Sequence, residues 1–141
     1  MDLALVTARL DPAQVQALKT VGVAADFAAA AKSVPIKMPA AYVLPVREQA
    51  ARNQMANAVS QRVTVAFAVI LAVSNLRDAR GGQAALDLES VRNVVKTRLI
   101  GWEPSVDHDL VTYNGGRLLE LGDGVLWWWD EFSTAEYMRY V

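Results

Sequence analysis

The sequence contains no cysteine and a single histidine. The absence of cysteine excludes disulfide bonds, thiolate zinc sites and cysteine nucleophiles. His108 lies in the stretch Asp107-His108-Asp109, but metal ligands usually come from several elements, and no second His or Cys is available. We therefore interpret this stretch as a solvated loop and expect no metal site.

Long apolar runs and a strong net charge are also missing. No charge-free apolar stretch approaches the roughly 18 residues of a membrane-spanning helix, and the N-terminus does not resemble a secretory signal, so no membrane contact is expected. The net charge of −1 argues against a basic nucleic-acid-binding module. Residues 1–70 carry seven Lys/Arg and four Asp/Glu (+3), whereas residues 71–141 carry seven and eleven (−4). This asymmetry suits copies of the chain arranged head to tail.

Motifs for catalysis are absent as well. The stretches RGGQ and NGGR lack the lysine of a phosphate-binding loop, and no GxSxG nucleophile motif occurs. Asp130 and Glu131 are neighbours on a predicted strand, so they point to opposite faces and make a poor acid–base pair. We expect no catalytic residue and no cofactor, which favours an assembly protein over an enzyme.

The helical signals fit a single domain over residues 1–141. A helix is predicted from LDPAQVQALKTV, with Asp11 as its N-cap, and a second over about 24–32, ended by Pro35 and Pro39. The strongest helix is AALDLESVRNVVKTRLIGW, with Gly101 as its C-terminal cap. Its apolar stripe consists of Leu88, Val91, Val95 and Leu99.

Alternation marks the strands. Residues 40–46 are predicted to form a short strand ending at Pro45, and QRVTVAFAVILAVSN a long one. In the long strand bulky residues alternate with mostly small ones, so we expect the bulky face to pack on the strongest helix. That face carries Val63, Val65, Phe67, Val69, Leu71 and Val73. Between the two strands, residues 47–60 are polar without a clear period and are predicted to form a long loop with a functional role.

The C-terminal third is predicted to be a meander that turns at NGG and again at GDG. A three-residue second loop pairs Leu121 with Val125 and Leu119 with Trp127. It also pairs Leu118 with Trp128 and Arg117 with Trp129.

The run VLWWWDEF within this meander puts three tryptophans in a row. Neighbouring side chains on a strand point to opposite faces, so one indole must leave the face of the other two. We expect Trp127 in the core with Leu119 and Leu121 under the helix layer. Trp128 then lies on the opposite face with Leu118 and Leu126, covered by the N-terminal helices or by a neighbouring subunit.

Several of these elements, in this order, resemble a known family. PAAYVLPV, the polar segment with NQ and SQ, VTVAFAVILAVSN, LESVRNVVKTRLIGWEP and GGRLLELGDGVLWWWDEF together span roughly residues 39–132. They resemble the tail terminator proteins of bacteriophages with long non-contractile tails, and GWEP and the glycine-flanked hairpin are the most telling pieces.

The resemblance implies an α+β fold, a mixed sheet flanked by helices. It also implies a hexameric ring that caps the head-proximal end of the tail tube, stops elongation and provides the surface for head–tail joining. Its partners would be copies of itself, the tail tube protein and the head–tail connector. DNA would only pass through the lumen, without sequence-specific binding. The expected location is the neck region of the virion tail, and the host cytoplasm during assembly.

Two sets of residues, one polar and one apolar, are candidates for the subunit or tube interface. The polar set lies in the polar segment and consists of Arg47, Gln49, Arg52, Asn53, Gln54 and Asn57. The apolar set lies on the meander and consists of Leu118, Leu126 and Trp128. A head–tail connector or tail-completion protein of the same virion remains the nearest alternative. A small-molecule enzyme or a nucleic-acid-binding module would need a deep polar pocket or a dense basic face.

Overall fold

A computed structural model describes residues 1–32, 36–75 and 82–141 of the protein. Pro35 and most of the glycine-rich stretch before the strongest helix lie outside the described residues. The described elements in chain order are α1 (Ala4–Arg9), β1 (Thr20–Val23), α2 (Ala24–Lys32), β2 (Ala40–Ala50), β3 (Val59–Ser74), α3 (Gly82–Leu99), β4 (Thr112–Gly122) and β5 (Val125–Tyr140).

The five strands form one sheet in the order β1-β2-β3-β5-β4. β1 is parallel to β2, and every other pair is antiparallel. The long central strands β3 and β5 pair along their whole length, from Val59 opposite Tyr140 to Ser74 opposite Val125. The mixed sheet with flanking helices confirms the predicted α+β class.

Strand β3 carries the core because both of its faces are buried. Phe67, Val69 and Leu71 lie on one face and are fully buried in a cluster with the apolar stripe of α3. The predicted packing of the long strand on the strongest helix is therefore confirmed. The other face presents Ile70 and Ala72 to a second cluster that includes Ala30 and Phe27 of α2. Small side chains on this face let α2 pack close to the sheet.

The N-terminal region departs from the prediction. Residues 11–18 form turns rather than a helix, although Asp11 Oδ1 accepts the predicted capping hydrogen bond from Ala13 N at 2.8 Å. Val15 and Leu18 are nonetheless buried beside α3. The chain must reach β1 at Thr20, so burial of these two residues wins over continuation of the helix. The helix lies earlier, in α1, while α2 confirms the predicted short helix over 24–32.

The predicted loop at 47–60 is wrong in its extent. β2 does not end at Pro45 but continues to Ala50, and β3 begins at Val59, so only residues 51–58 connect them. The register shifts between Pro45 and Arg47, and β1 pairs only with residues 40–43 of β2. Proline is tolerated there because it lies at a bulge on an unpaired edge.

The predicted meander is a single long hairpin. Asn114-Gly115-Gly116 does not turn the chain but forms a bulge inside β4, where the register shifts between Tyr113 and Gly115. The second turn has two residues, Asp123 and Gly124, with φ of 53° and 76°. Positive φ at both positions is the pattern of a type I′ hairpin turn.

This turn changes part of the predicted register. Leu118 opposite Trp128 and Arg117 opposite Trp129 are confirmed. The predicted partners of Leu121 and Leu119 are wrong, because Leu121 pairs with Leu126 and Leu119 lies at a second bulge. The shorter turn moves the pairing by one residue, and the bulge restores it further along.

Candidate functional site

One end of the sheet projects beyond both edge strands. β1 pairs only with residues 40–43, and the pairing of β4 with β5 ends at Thr112 opposite Ser133. Past these points the sheet continues as three strands made of the end of β2, the start of β3 and the end of β5. We call residues 47–62 together with 134–140 the arm. An extension of this kind reaches partners that a flat sheet edge cannot.

The arm carries all six polar interface candidates, and all six are exposed. Asn53 also shapes the loop: its amide nitrogen donates to Met55 O at 2.9 Å and Ala58 O at 3.1 Å, while its Oδ1 accepts from Met55 N and Ser60 N. The remaining five side chains, Arg47, Gln49, Arg52, Gln54 and Asn57, are available for contacts with another molecule.

The charge of the arm tip is mainly positive. Arg62 is neutralised by Asp109, whose Oδ2 lies 2.7 Å from its Nη2, and the hydrogen bond to Asp109 raises the pKa of Arg62. Arg47 and Arg52 make no ion pair with any residue that the structure describes. With Arg139, which is also exposed and makes no ion pair among the described residues, the arm therefore offers three guanidinium groups without a carboxylate partner.

Exposed aromatic residues also lie on the arm, and the sequence analysis missed them. Tyr137 and Tyr140 are 42% and 63% exposed, and the Arg139 guanidinium lies 5.5 Å from the Tyr137 ring centroid. The prediction of the last strand stopped at Phe132, whereas β5 runs to Tyr140. Exposed tyrosine beside arginine is the composition of protein interfaces.

Trp127 and Trp128 point to opposite faces of the sheet, as predicted, and each indole is covered within the chain. Trp127 faces α2, where its ring centroid lies 5.6 Å from that of Phe27 and 6.3 Å from that of Tyr42. Trp129 shares this face and lies under Arg117. Trp128 points to the α3 side. Trp127 therefore lies with Leu119 under a helix, as expected, whereas Leu121 lies opposite Leu126 instead. The expectation that the N-terminal helices or a neighbouring subunit cover Trp128 is wrong, because α3 lies on that face.

Trp128 belongs to a buried polar cluster centred on Asp130, which is fully buried. Oδ1 of Asp130 accepts from Tyr113 Oη at 2.8 Å, Trp128 Nε1 at 3.0 Å and Arg92 Nη2 at 3.1 Å, and Oδ2 accepts from Arg92 Nε at 3.0 Å. Arg92 lies 4.5 Å from the Trp128 ring centroid. A bidentate arginine satisfies the buried carboxylate, so the cluster ties α3 to β4 and β5.

The electrostatics of the cluster follow from these contacts. The hydrogen bond to Asp130 raises the pKa of Arg92 despite the burial of the guanidinium. Burial, followed by the hydrogen bond to Asp130, raises the pKa of Tyr113. Both groups stay protonated at neutral pH, and Arg92 forms a salt bridge with Asp130.

The apolar interface candidates divide by exposure. Leu126 is 7% exposed and Trp128 is partly buried, whereas Leu118 on the edge strand β4 is 51% exposed. Leu121 on the same strand is 50% exposed. We call Leu118 and Leu121 the β4 patch. It lies at the free edge of the sheet, and Trp128 and Leu126 lie directly opposite its two residues on β5.

His108 does not lie in a solvated loop as predicted. Its side chain is 8% exposed, with Nδ1 at 2.6 Å from Ser105 Oγ and Nε2 at 3.1 Å from Glu136 Oε2. The approach of Nε2 to Glu136 lacks hydrogen-bond geometry. Within residues 1–32, 36–75 and 82–141, no group of His, Asp and Glu is arranged to hold a metal ion. Nor does any described helix have the length and apolar character needed to cross a membrane.

Comparison with known proteins gives one clear result. The family model described as phage tail terminator protein matches residues 1–140. A search of curated proteins finds no significant match. The matched region includes both the arm and the β4 patch.

Proposed function

Because the chain belongs to the phage tail terminator family, we propose that it forms a ring on the head-proximal end of the tail tube, stops tube elongation and provides the surface for head–tail joining. Family membership makes it a structural protein of the bacteriophage tail, located in the virion tail. The ring, which we propose is a hexamer, sits in the neck region after assembly in the host cytoplasm. DNA passes through its lumen without sequence-specific contacts.

The observation that carries this proposal is the family match along nearly the whole chain. The surfaces support it. A ring of identical copies needs two different patches, since a patch on one copy meets another patch on its neighbour. The projecting arm at one end of the sheet and the β4 patch at its free edge are two such surfaces.

We assign the arm to contacts with the tube or with an adjacent subunit. The free guanidinium groups of Arg47 and Arg52 and the amides of Gln49, Gln54 and Asn57 are exposed polar groups. A projecting hairpin with such groups can add contacts to a partner that lies above or below the ring. Exposed arginine residues at the periphery of an interface contribute specificity and increase the rate of association.

We assign the β4 patch to contacts between subunits. Leu118 is the exposed member of the predicted apolar set, while Trp128 and Leu126 on the neighbouring strand pack in the core. Half-exposed leucines on an unpaired edge strand favour association unless another chain covers them.

The proposed function is tested with tail tubes assembled from the tube protein of the same phage. Tubes grown in the presence of the purified chain should have a narrow length distribution in negative-stain electron micrographs, with the chain located at one end. Tubes grown without it should be longer and more variable. If the chain leaves tube length unchanged and instead binds the head vertex, the connector alternative is correct and the terminator proposal is wrong.

The role of the arm is tested by shortening it without disturbing the core. Ala51 N donates to Arg62 O at 2.7 Å, so Asn-Gly in place of residues 52–61 joins the two strands by a two-residue turn. None of the replaced side chains is buried. We expect this variant to keep its fold by circular dichroism but to lose tube capping.

A milder pair of variants separates the charge of the arm from its length. Arg47→Gln with Arg52→Gln removes two unpaired charges of the arm, while Lys19→Gln with Lys37→Gln removes two exposed charges at the other end of the sheet. We expect the arginine pair to weaken capping and the lysine pair to leave it unchanged. If the shortened and the charge-neutral arm variants both gave tubes of parental length, the arm would have no capping role.

A further inference from the structure

A groove on the α3 side of the sheet contains two arginines without a carboxylate partner. It lies between α3 and the turn segment 11–18, has a volume of about 660 Å³, and is lined in part by Arg9, Gln14, Val94 and Arg98. Within the described parts of the chain, no Asp or Glu oxygen lies at ion-pair distance from Arg9 or Arg98. We call this the arginine groove.

The two side chains are fixed by each other's backbone. Arg9 Nε donates to the carbonyl oxygen of Arg98 at 3.0 Å, and Arg98 Nε donates to that of Arg9 at 2.9 Å. Arg98 Nη2 also donates to Gln14 Oε1, and the Arg9 guanidinium lies 5.3 Å from the Trp102 ring centroid. These bonds limit the rotamers of both arginines before any partner arrives, which lowers the entropic cost of binding.

Two positive charges held close together favour the binding of an anion. Burial, followed by the charge of Arg98, lowers the pKa of Arg9, as expected when two cations share a site without a neutralising acid. A carboxylate that enters the groove relieves this repulsion and matches the planar donor geometry of guanidinium.

Suitable carboxylates lie at a distant place on the same chain. Glu120 and Asp123 are exposed near the tip of the β4–β5 hairpin, and neither is part of an ion pair among the residues described. Glu120 lies opposite Trp127 and Leu121 opposite Leu126, so these neighbours point to opposite faces of β4. The hairpin tip therefore matches the groove in charge.

The two sites cannot meet within one copy. The hairpin tip adjoins the end of β3, where Ser74 pairs with Val125. The end of α3 adjoins the start of β4 instead, since Gly101 N donates to Val111 O, and Thr112 pairs with Ser133. From Val125 to Ser133 an extended strand spans about 26 Å. Arg98 also lies on the side of α3 away from Arg92 and β4, next to the N-terminal segment.

We propose that the arginine groove binds the acidic β4–β5 hairpin of a second copy of the chain, with Glu120 and Asp123 accepting hydrogen bonds from Arg9 and Arg98. This inference rests on the proposed ring, whose closure needs one patch to meet a different patch on the neighbour.

Charge reversal tests the pairing in the full-length protein. Arg98→Glu alone and Asp123→Arg alone should each reduce the fraction of chain in rings on tail tubes by about tenfold or more, measured by native mass spectrometry and electron microscopy. An equimolar mixture of the two variants should recover ring formation, because in a hexamer in which the two variants alternate every groove meets a hairpin of opposite charge. The double variant Arg98→Glu/Asp123→Arg should recover ring formation. Lys19→Glu and Asp107→Arg are controls at exposed positions outside the groove and the hairpin.

Arg98→Glu removes two hydrogen bonds inside the chain, to Arg9 O and Gln14 Oε1, so a second measurement is needed that does not depend on the folding of this variant. Arg98→Lys provides a primary amine in the groove, and a carbodiimide should join that amine to Glu120 or Asp123 of another copy, as identified by peptide mass spectrometry. A cross-link to the tube protein, or protection of the groove by inorganic phosphate or DNA in its place, would overturn the proposal.

Different results would contradict the pairing of groove and hairpin and the proposed function. If the parent chain caps tubes as a ring but the double variant does not recover and no cross-link to Glu120 or Asp123 forms, the pairing is wrong and the proposed function stands. If the parent chain neither forms rings nor caps tubes, the proposed function itself is wrong.

Discussion

A single methyl group tests whether the Asp130 cluster holds α3 on the sheet. Gly116 lies on β4 directly beside this cluster. A Cβ at this position would lie 2.8 Å from Tyr113 Oη and 2.9 Å from Trp128 Nε1, and closer still to Asp130 Oδ1. Real Cβ atoms do not approach polar atoms so closely. Gly116→Ala must therefore displace the carboxylate by about 1 Å.

The magnitude follows from the bonds that converge on that oxygen. Asp130 Oδ1 accepts three hydrogen bonds, and a hydrogen bond to a charged group contributes about 1.5–3 kcal/mol. The bonds would stretch rather than vanish, and overpacking of a buried site costs about 1–3 kcal/mol. We expect Gly116→Ala to lower the free energy of unfolding by about 3 kcal/mol, which corresponds to a fall of about 10 °C in Tm.

The chain offers a matched control on the same strand. A Cβ added at Gly122 meets no atom within 4 Å, and its φ is not in the left-handed region. Gly122→Ala should change the free energy of unfolding by less than about 1 kcal/mol. Both variants are compared by chemical denaturation and calorimetry at neutral pH.

A double-mutant cycle identifies the cause of the loss. In an Asp130→Ala background the oxygen that Gly116→Ala displaces is gone, so the second substitution should cost much less than in the parent. The reasoning is refuted if Gly116→Ala melts within about 2 °C of Gly122→Ala, or if its cost is the same with and without the Asp130 carboxylate.

The remaining predictions concern core packing, the tryptophans and alkaline pH. Phe67→Ala should cost about 3–5 kcal/mol, because the ring is fully buried against α3; a Tm within a degree or two of the parent would contradict this packing. Trp127→Ala and Trp128→Ala should each lower the Tm of the isolated chain by a comparable amount, since each indole is covered within the chain; a Trp128→Ala chain as stable as the parent would point to cover by a neighbour. The pKa of Tyr113 is raised above 10.0, so its contribution to stability is complete below pH 10 and is lost as the pH rises through its folded value. Tyr113→Phe should therefore reduce the fall in unfolding free energy above pH 10, and an unchanged slope would argue against this assignment.

The sequence determined the elements whose signal is repeated over many residues. Alternation along Val63–Val73 defined a strand and its two faces, and the stripe from Leu88 to Leu99 defined the helix that covers one of them. Both patterns are long enough that a local exception cannot reverse them. The segment from Arg47 to Asn57 was predicted to lie at the surface for a similar reason, because a stretch in which polar residues predominate cannot form the core.

The tertiary structure decided the points where a neighbouring strand overrules a local signal. Asn114-Gly115-Gly116 has the composition of a turn, yet the unbroken partner strand β5 keeps it in register as a bulge. The polar segment after Pro45 has no strand signal of its own, yet pairing with β3 extends β2 to Ala50. Turn-forming residues allow the chain to reverse direction, but the strands available for pairing determine whether it does.

Which face each tryptophan occupies was likewise decided by tertiary structure. Alternation alone requires Trp127 and Trp128 to point in opposite directions, but it contains no information on which helix covers which face. That depends on the side to which the chain crosses from β3 to α3. The same crossover brings Arg92 to Asp130 and Arg98 to Arg9, residues 38 and 89 positions apart. Contacts between residues so far apart in the chain leave no local pattern, because each residue's own neighbours are compatible with many partners, and only packing of the whole chain selects one.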